Sequence, residues 1–385
     1  MGNVRMKRKI LYITGNRADY GFMQPVLKKI HAHPSLDLEV IVTGMHVMKE
    51  FGNTITIIKK DGYKIHKISA KFDTSSGSAI NFLGTFLKKL GKQIEKIHPD
   101  IVLVAGDRAE MLCGAIVASY CSIPIAHVSG GDVTSTIDEH VRHAITKLAN
   151  IHFPYTRMSA DRIFKMGEDR WRIHTVGSPG VYHMLHQELT PKNELAKRYN
   201  LDLTHPYLLM IQHPVTLESD EAPEQIRRTL SAIAELDIQT ILVFPNADAG
   251  GLQMIKVIGE FAANPNIRPY KSIPSKDFFS LMKHADAMIG NSSSGIVEAP
   301  SYHLPVINIG SRQAGRERGK NVLDVGYDSY EILHAIKTAL FDEKFRNLIQ
   351  QSKNPYDRGD AALKIVDVLE SVVIDKRLLQ KQLRY

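Results

Sequence analysis

The chain has 385 residues, 43% of them hydrophobic, 23% charged and 7% aromatic, which is long for one hydrophobic core and ordinary for a globular protein, so two domains are expected. The formal net charge of +8 comes from lysines and arginines scattered along the chain. No dense basic block interleaved with aromatics occurs, which argues against a nucleic-acid module and for an anionic small-molecule substrate.

The amino-terminal "MGNVRMKRKILYITG" has too short an apolar run for a signal segment and ends in Thr-Gly, so a first strand is expected over 9–15. No later run has the length of a membrane span, and a cytoplasmic protein without a membrane partner is expected. Further strands are predicted over 38–44, 100–107, 123–131, 150–155 and 173–179. Their continuous Val/Ile/Leu character is that of strands buried on both faces of a parallel sheet. Amphipathic helices are predicted between them, for example over 22–33 and over 80–98, the latter closed by Pro99. Cys113 and Cys121, eight apart in an apolar segment, read as buried free thiols and not as a disulfide or metal pair.

A polar stretch over 178–205 reads as a linker, after which the alternation restarts. Strands are predicted over 207–213, 239–246, 286–291 and 304–310, helices over 222–236, 276–284 and 329–341, and a last amphipathic helix over 360–382. Two successive runs of βαβ units make an α/β protein of two doubly wound, Rossmann-like domains. Ligands of such sheets bind beyond the carboxyl ends of the strands, so the residues there are the candidates.

After the first strand, "TGNRADYG" sets Arg17 and Asp19 at a helix start, an anion site or a capped helix with a surface arginine. After the third, Asp107, Arg108 and Glu110 follow a buried run; they pair locally or bind a ligand. After the fourth comes "HVSGGDVTSTIDEHVRH", from His127 to His143. If Thr134–Ala149 is a helix, Asp138 and Arg142 lie one turn apart, as do Glu139 and His143. One couple is an ordinary helix ion pair, and the other turns a carboxylate and a guanidinium toward a ligand. Gly130 and Gly131 permit close backbone approach. His127, Asp132 and His140 lack a diagnostic ligand spacing, so no metal and no cofactor are expected.

In the second half, His213 ends a strand and Pro214 stops it. "IGNSSSGIVEAP" leads a strand through Asn291, Ser292, Ser293, Ser294 and Gly295 into a helix start, a phosphate cradle with more hydroxyls than one cap needs. Glu298 lies one turn on, where a carboxylate suits the two hydroxyls of a ribose. Arg312, Arg316 and Arg318 follow in a glycine-rich loop that is either phosphate-facing or solvated.

"ITGNRADYG", "IVTGMHVM", "GDRAEMLCGA", "GGDVTSTIDEHVRHAITKLA", "VGSPG", "QHPVT", "IGNSSSGIVEAP" and "INIGSRQAGR" occur here in one order over about residues 8–360. This set resembles the hydrolysing UDP-N-acetylglucosamine 2-epimerases of sialic and legionaminic acid synthesis. The resemblance implies the glycosyltransferase-B architecture with an interdomain cleft. Residues 1–180 would form the sugar and catalytic side, 181–360 the nucleotide diphosphate side, and 361–385 a helix packing back toward the first domain. It also implies roles: Arg17 and Asn291–Gly295 on the diphosphate, Glu298 on the ribose and His213 near the phosphates or leaving group. Asp107 and Asp138 match the catalytic carboxylates, Arg142 the arginine of an "RH" pair, and Arg312 that of "GxRQ". A homodimer or homotetramer is the expected assembly.

The chemistry implied is proton removal at C2, loss of the nucleoside diphosphate from C1, and hydration of the resulting glycal with a proton returned to the other face. It needs acid/base groups on both faces and fixed donors for the diphosphate. One departure stands out. Where the family carries its first glutamate, this chain has Ser129, whose hydroxyl is no base at neutral pH. Asp132 or Asp138 takes over, with Ser129 facing a differently substituted sugar such as a 2,4-diacetamido-2,4,6-trideoxy analogue, or the activity has changed. A glycosyltransferase on the same fold and a nucleotide-sugar-binding protein without turnover are the rival readings.

Overall fold

The first strand, β1 (Arg8–Thr14), alternates its side chains between two cores. Ile10 and Tyr12 enter a cluster with Met23, Val26, Leu27 and Ile30, while Leu11 and Ile13 enter another with Phe82, Phe86, Leu90 and Ile94. The four-residue spacing of the last group is one face of a helix. A computed structural model describes residues 7–48, 54–69, 76–134, 137–246 and 248–384, with backbone alone at 76–79 and 137. It divides into two compact units: Met1–Asp132, Ile137–His183 and Arg358–Tyr385 in one, Val133–Thr136 and Met184–Asp357 in the other.

The first unit joins β1 to β2 (Leu36–Val42), β3 (Lys64–Lys67), β4 (Ile101–Ala105), β5 (Ile125–Val128) and β6 (Ile151–Phe153). The strand order is β3-β2-β1-β4-β5-β6, with parallel pairing throughout. Its helices are α1 (Arg17–Ala32), α2 (Ile55–Lys60), α3 (Ser76–Ile97), α4 (Ala109–Tyr120), α5 (Ile137–Leu148) and α6 (Arg157–Lys165), and the chain passes to the second unit within α7 (Pro179–His186).

The second unit begins with α8 (Lys192–Tyr199) and β7 (Tyr207–Ile211). Then come α9 (Ala222–Ala234), β8 (Gln239–Val243), α10 (Gly251–Glu260), β9 (Ile267–Tyr270), α11 (Ser275–His284) and β10 (Ala287–Gly290). It closes with α12 (Ser294–Val297), β11 (Val306–Ile309), β12 (Val322–Val325), α13 (Ser329–Phe341) and α14 (Glu343–Gln350). Its order, β12-β11-β10-β7-β8-β9, repeats that of the first sheet. In both sheets the order reverses between the first and fourth strands, the switch point where doubly wound folds bind ligands. These points lie beyond β1 and β4 in one unit and beyond β7 and β10 in the other.

Several expectations are corrected. Of 173–179 only Ile173 bridges, to His152, and α7 takes over at Pro179. The stretch over 178–205 does carry the chain from one unit to the other, between His183 and Met184, but as α7 and α8; Met184, Leu195 and Tyr199 lie in a core of the second unit. The last helix is not continuous: α15 (Ala361–Ser371) ends before the β-branched Val372-Val373-Ile374, and Asp375 caps a separate α16 (Lys376–Leu379). Residues of both, among them Ile365, Leu369 and Leu378, lie in the β1 core. The helix expected from Thr134 begins at Ile137. Cys113 is buried, but Cys121, past the end of α4, is exposed. The edge strands β3, β9 and β12 are only partly buried and carry polar residues, so the apolar-run signal missed them. No described helix is long and apolar enough to cross a membrane.

Candidate functional site

In the first unit, Asn16 caps α1 by accepting from the Ala18 and Asp19 amides, and Asp19 reaches back to the Asn16 amide at 2.9 Å. This box sets Arg17 at the first helical position, exposed. Beyond β4, Asp107 accepts from the Arg142 guanidinium, which also donates to the Asp132 carbonyl at 3.2 Å. The Arg142 side chain is 4% exposed and that of Asp107 22%, so α5 delivers a shielded cation to the end of β4. Arg108 does not pair with its neighbour Asp107 but with Glu110, at 3.3 Å. Burial lowers the affinity of the Arg108 guanidinium for its proton, and the Glu110, Asp19 and Asp138 carboxylates around it raise it further than burial lowers it. Asp138 itself is exposed near the start of α5, and Asp132 is buried at 8% exposure.

The α5 couples separate as follows. Glu139 and His143 pair across one turn at 3.7 Å, whereas Arg142 turns to Asp107. Ser129 follows β5 half-buried in the left-handed region, at φ 67°, a strained place for a residue with a side chain. Gly130 and Gly131 serve packing of this unit upon itself: a Cβ on Gly131 would lie 2.4 Å from the Ser159 carbonyl, and one on Gly130 2.9 Å from the His127 ring. His127 is fully buried, bonded to the Gly106 carbonyl at 2.8 Å, and burial pushes its ring down to about 3. His140 lies on the exposed side of α5.

In the second unit, Gly290 ends β10 at φ 124°, and a Cβ there would meet the Ile211 carbonyl at 1.9 Å. Glycine alone permits that approach. It brings Asn291 against the end of β7, where its side chain accepts from the His213 amide at 2.7 Å and donates to the His213 carbonyl at 2.8 Å. Asn291 is thus a brace between strand ends, and its own carbonyl accepts from Arg312 and Gln313 at 3.2 and 2.8 Å. His213 Nδ1 accepts from the Asn246 amide at 3.1 Å, and burial, then Arg312, push the ring down to about 3. The neutral ring therefore carries its hydrogen on Nε2, as a donor.

Ser293 precedes the short α12, with Ser292 and Ser294 hydroxyls 2.8 Å apart and Gly295 buried behind them. Burial lifts the Glu298 carboxyl to about 8 against the lowering effect of Arg316, so it is largely protonated at neutral pH and both donates and accepts. Arg318 is spent on Asp324, at 2.5 and 2.7 Å. Sequence reasoning passed over the buried His46, Gln212 and Gln313; Gln212 directly follows β7, and His46 and Gln313 lie in the loops four residues past β2 and β11, so a polar residue just beyond an apolar strand was the available signal.

The model of the family described as UDP-N-acetylglucosamine 2-epimerase matches residues 28–370. A UDP-N,N'-diacetylbacillosamine 2-epimerase (hydrolyzing) of Legionella pneumophila is 37% identical over 378 residues, 98% of this chain and 99% of its own length. A UDP-N-acetylglucosamine 2-epimerase of Neisseria meningitidis serogroup B is 36% identical over 355 residues, 92% of each chain. The crystal structure of a Neisseria meningitidis UDP-GlcNAc 2-epimerase bound to UDP-GlcNAc superposes with a TM-score of 0.81 at 18% identity, over 94% of this chain and 99% of its own. The fold is accordingly α/β, of glycosyltransferase-B type.

Proposed function

The chain belongs to the UDP-N-acetylglucosamine 2-epimerase family, and we propose that it is a hydrolysing 2-epimerase of a nucleotide-linked 2-acetamido sugar, releasing the free 2-epimer and a nucleoside diphosphate. The observation that carries this reading is the Asp107–Arg142 pair at the switch point of the first sheet. A carboxylate hydrogen-bonded to a shielded guanidinium there is placed to take the C2 proton, and the guanidinium orients it. Asp132 and Asp138, both following β5, are the carboxylates from which the proton for the opposite face is drawn. Ser129 contributes a hydrogen bond, not a proton acceptor.

On the second unit, His213 donates Nε2–H to the departing diphosphate, with the Ser292–Ser294 turn and Arg312. Because its ring is neutral and already protonated on Nε2, its role is that of a fixed donor, not of a base. Glu298 meets the ribose hydroxyls. Arg17, with no hydrogen bond or ion pair to a described residue, supplies positive charge for a diphosphate at the start of α1. Arg17→Ala is expected to weaken UDP binding about tenfold or more, by the loss of a charge-assisted contact, with the fold intact. An unchanged dissociation constant by calorimetry would remove Arg17 from the phosphate site.

The test of the reaction is proton NMR in heavy water. UDP-N-acetylglucosamine and a UDP-linked 2,4-diacetamido-2,4,6-trideoxy sugar are supplied separately. The expected product is the free 2-epimer carrying deuterium at C2, with UDP. The short Ser129 side chain, where the family has a glutamate, favours the doubly acetamido sugar as the better substrate. Turnover of neither, with UDP bound, would leave a nucleotide-sugar-binding protein. Transfer to an added acceptor would favour a glycosyltransferase.

A further inference from the structure

A buried hydrogen-bonded chain joins the ends of β1 and β2. Asp19, 3% exposed, accepts from the Gly15 and Asn16 amides on Oδ2, at 3.0 and 2.9 Å, and from the Thr14 hydroxyl on Oδ1. Thr14 Oγ1 lies 2.9 Å from His46 Nε2, and His46 Nδ1 lies 2.7 Å from Thr54 Oγ1. His46 is 1% exposed and Thr54 7%. None of these groups faces a role in the chemistry assigned above, yet the chain holds the turn that carries Arg17. We propose that Asp19 and His46 are positioning residues for this turn, coupled through the Thr14 hydroxyl so that one proton passes along the chain and sets the charge beside the ligand. The proposal rests on the reading of the Gly15–Arg17 turn as a diphosphate site.

The protons can be placed atom by atom. With Asp19 ionised, Thr14 donates to Oδ1, His46 donates Nε2–H to Thr14, and Thr54 donates to Nδ1. A proton entering at Nδ1 moves the Nε2 proton to Thr14 Oγ1 and the Thr14 proton to Asp19 Oδ1. The end state has Asp19 neutral and donating to Thr14, Thr14 donating to Nε2, and Nδ1–H donating to Thr54. One proton is gained, His46 stays neutral in both states, and its tautomer reports the charge of Asp19. Burial lifts the Asp19 carboxyl to about 7, with Glu110 adding to the rise and the Thr14, Gly15 and Asn16 hydrogen bonds opposing it. Burial lowers His46 to about 4, opposed by the Asn16 backbone and reinforced by Arg17. The other groups facing the chain are Arg108, which feels Asp19 and Glu110, the Tyr20 ring against His46, and Tyr12, whose hydroxyl donates to the Asp19 carbonyl at 3.1 Å. Ionised Asp19 puts a second carboxylate beside Glu110 at the amino terminus of α1, which opposes an anionic ligand there.

The full chain labelled with nitrogen-15 histidine is titrated by NMR from pH 5.5 to 8.5. His46 is expected to change from the Nδ1–H to the Nε2–H tautomer with a midpoint of about 7 and no cationic form. Asp19→Asn, whose amide donates to Thr14 at all pH values, should lock the Nδ1–H form. Thr14→Val should uncouple the ring from the titration, and serves if the first variant does not fold. In parallel, the dissociation constant of UDP-N-acetylglucosamine, whose diphosphate does not titrate in this range, should rise about fivefold from pH 6 to 8 in the parent and stay level in Asp19→Asn. A single His46 tautomer across the range, or the same transition in Asp19→Asn, would overturn the relay. A tautomer switch without any pH effect on affinity would overturn the positioning role. Absence of nucleotide-sugar binding at every pH would instead sink the reading of the turn as a ligand site, leaving the His46 result intact.

Discussion

Asp107→Asn is expected to lower turnover by about three orders of magnitude while the dissociation constant of UDP changes by less than about threefold. The amide cannot accept the C2 proton, and it leaves Arg142, with a side chain 4% exposed, facing a neutral partner. Because Asp107 retains 22% exposure, the stability cost should stay near 1–2 kcal/mol, below that of breaking a fully buried pair. Stopped assays with thermal unfolding of the same sample separate the two effects. Asp138→Asn, on an exposed carboxylate, should likewise remove turnover and spare UDP binding, with almost no effect on the melting temperature. A variant at either position that keeps the parent rate would take that carboxylate out of the chemistry.

Glu168→Ala should destabilise the protein by about 3–5 kcal/mol, the largest stability effect expected of any single truncation here. The Glu168 side chain, 2% exposed, accepts from Lys147 and Lys381 at 2.6 and 2.9 Å and lies 3.2 Å from His152. Burial raises its carboxyl, but the His152 and Lys147 hydrogen bonds and the Lys381 charge outweigh it and hold it down at about 2. The neighbouring Arg172 donates to the Leu378 and Arg377 carbonyls at 2.9 and 2.6 Å, so the cluster anchors the chain beyond α15 to β6 and α6. A carboxyl depressed from 4.5 to about 2 contributes stability above pH 4.5 and loses it as the pH falls toward 2. The gap between the parent and Glu168→Gln in urea unfolding should therefore be widest near pH 7 and narrow between pH 5 and 3. A gap independent of pH would show that packing, not the ionised carboxylate, holds the segment.

How much of this was legible in the sequence depended on the range of the interaction responsible. Strands buried on both faces announced themselves as apolar runs, and the amphipathic helices by their spacing, because these signals are local. The edge strands β3, β9 and β12 were not legible, since half-burial allows Lys, His, Arg and Asp into them. The break after Ser371 was read as one helix because Val372, Val373 and Ile374 continue the apolar pattern while opposing the helical backbone.

The candidate residues follow the same division. The chain by itself placed Arg17, Asp107, His213 and the Asn291–Gly295 turn immediately after strands, because in a doubly wound sheet that position is dictated by the order of elements along the chain. It also displayed Ser129 at the place where the resemblance leads to the expectation of a glutamate. Only the tertiary structure decided who pairs with whom. Asp107 takes Arg142, thirty-five residues on, and not the adjacent Arg108; Asn291 braces His213; the Asn246 amide chooses the His213 tautomer; Glu168 gathers Lys147, His152 and Lys381. Such pairings join groups from 16 to 213 residues apart. They are selected by which strand ends the sheet order brings together and by the cost of leaving a buried charge alone, and neither is written in any local stretch of sequence.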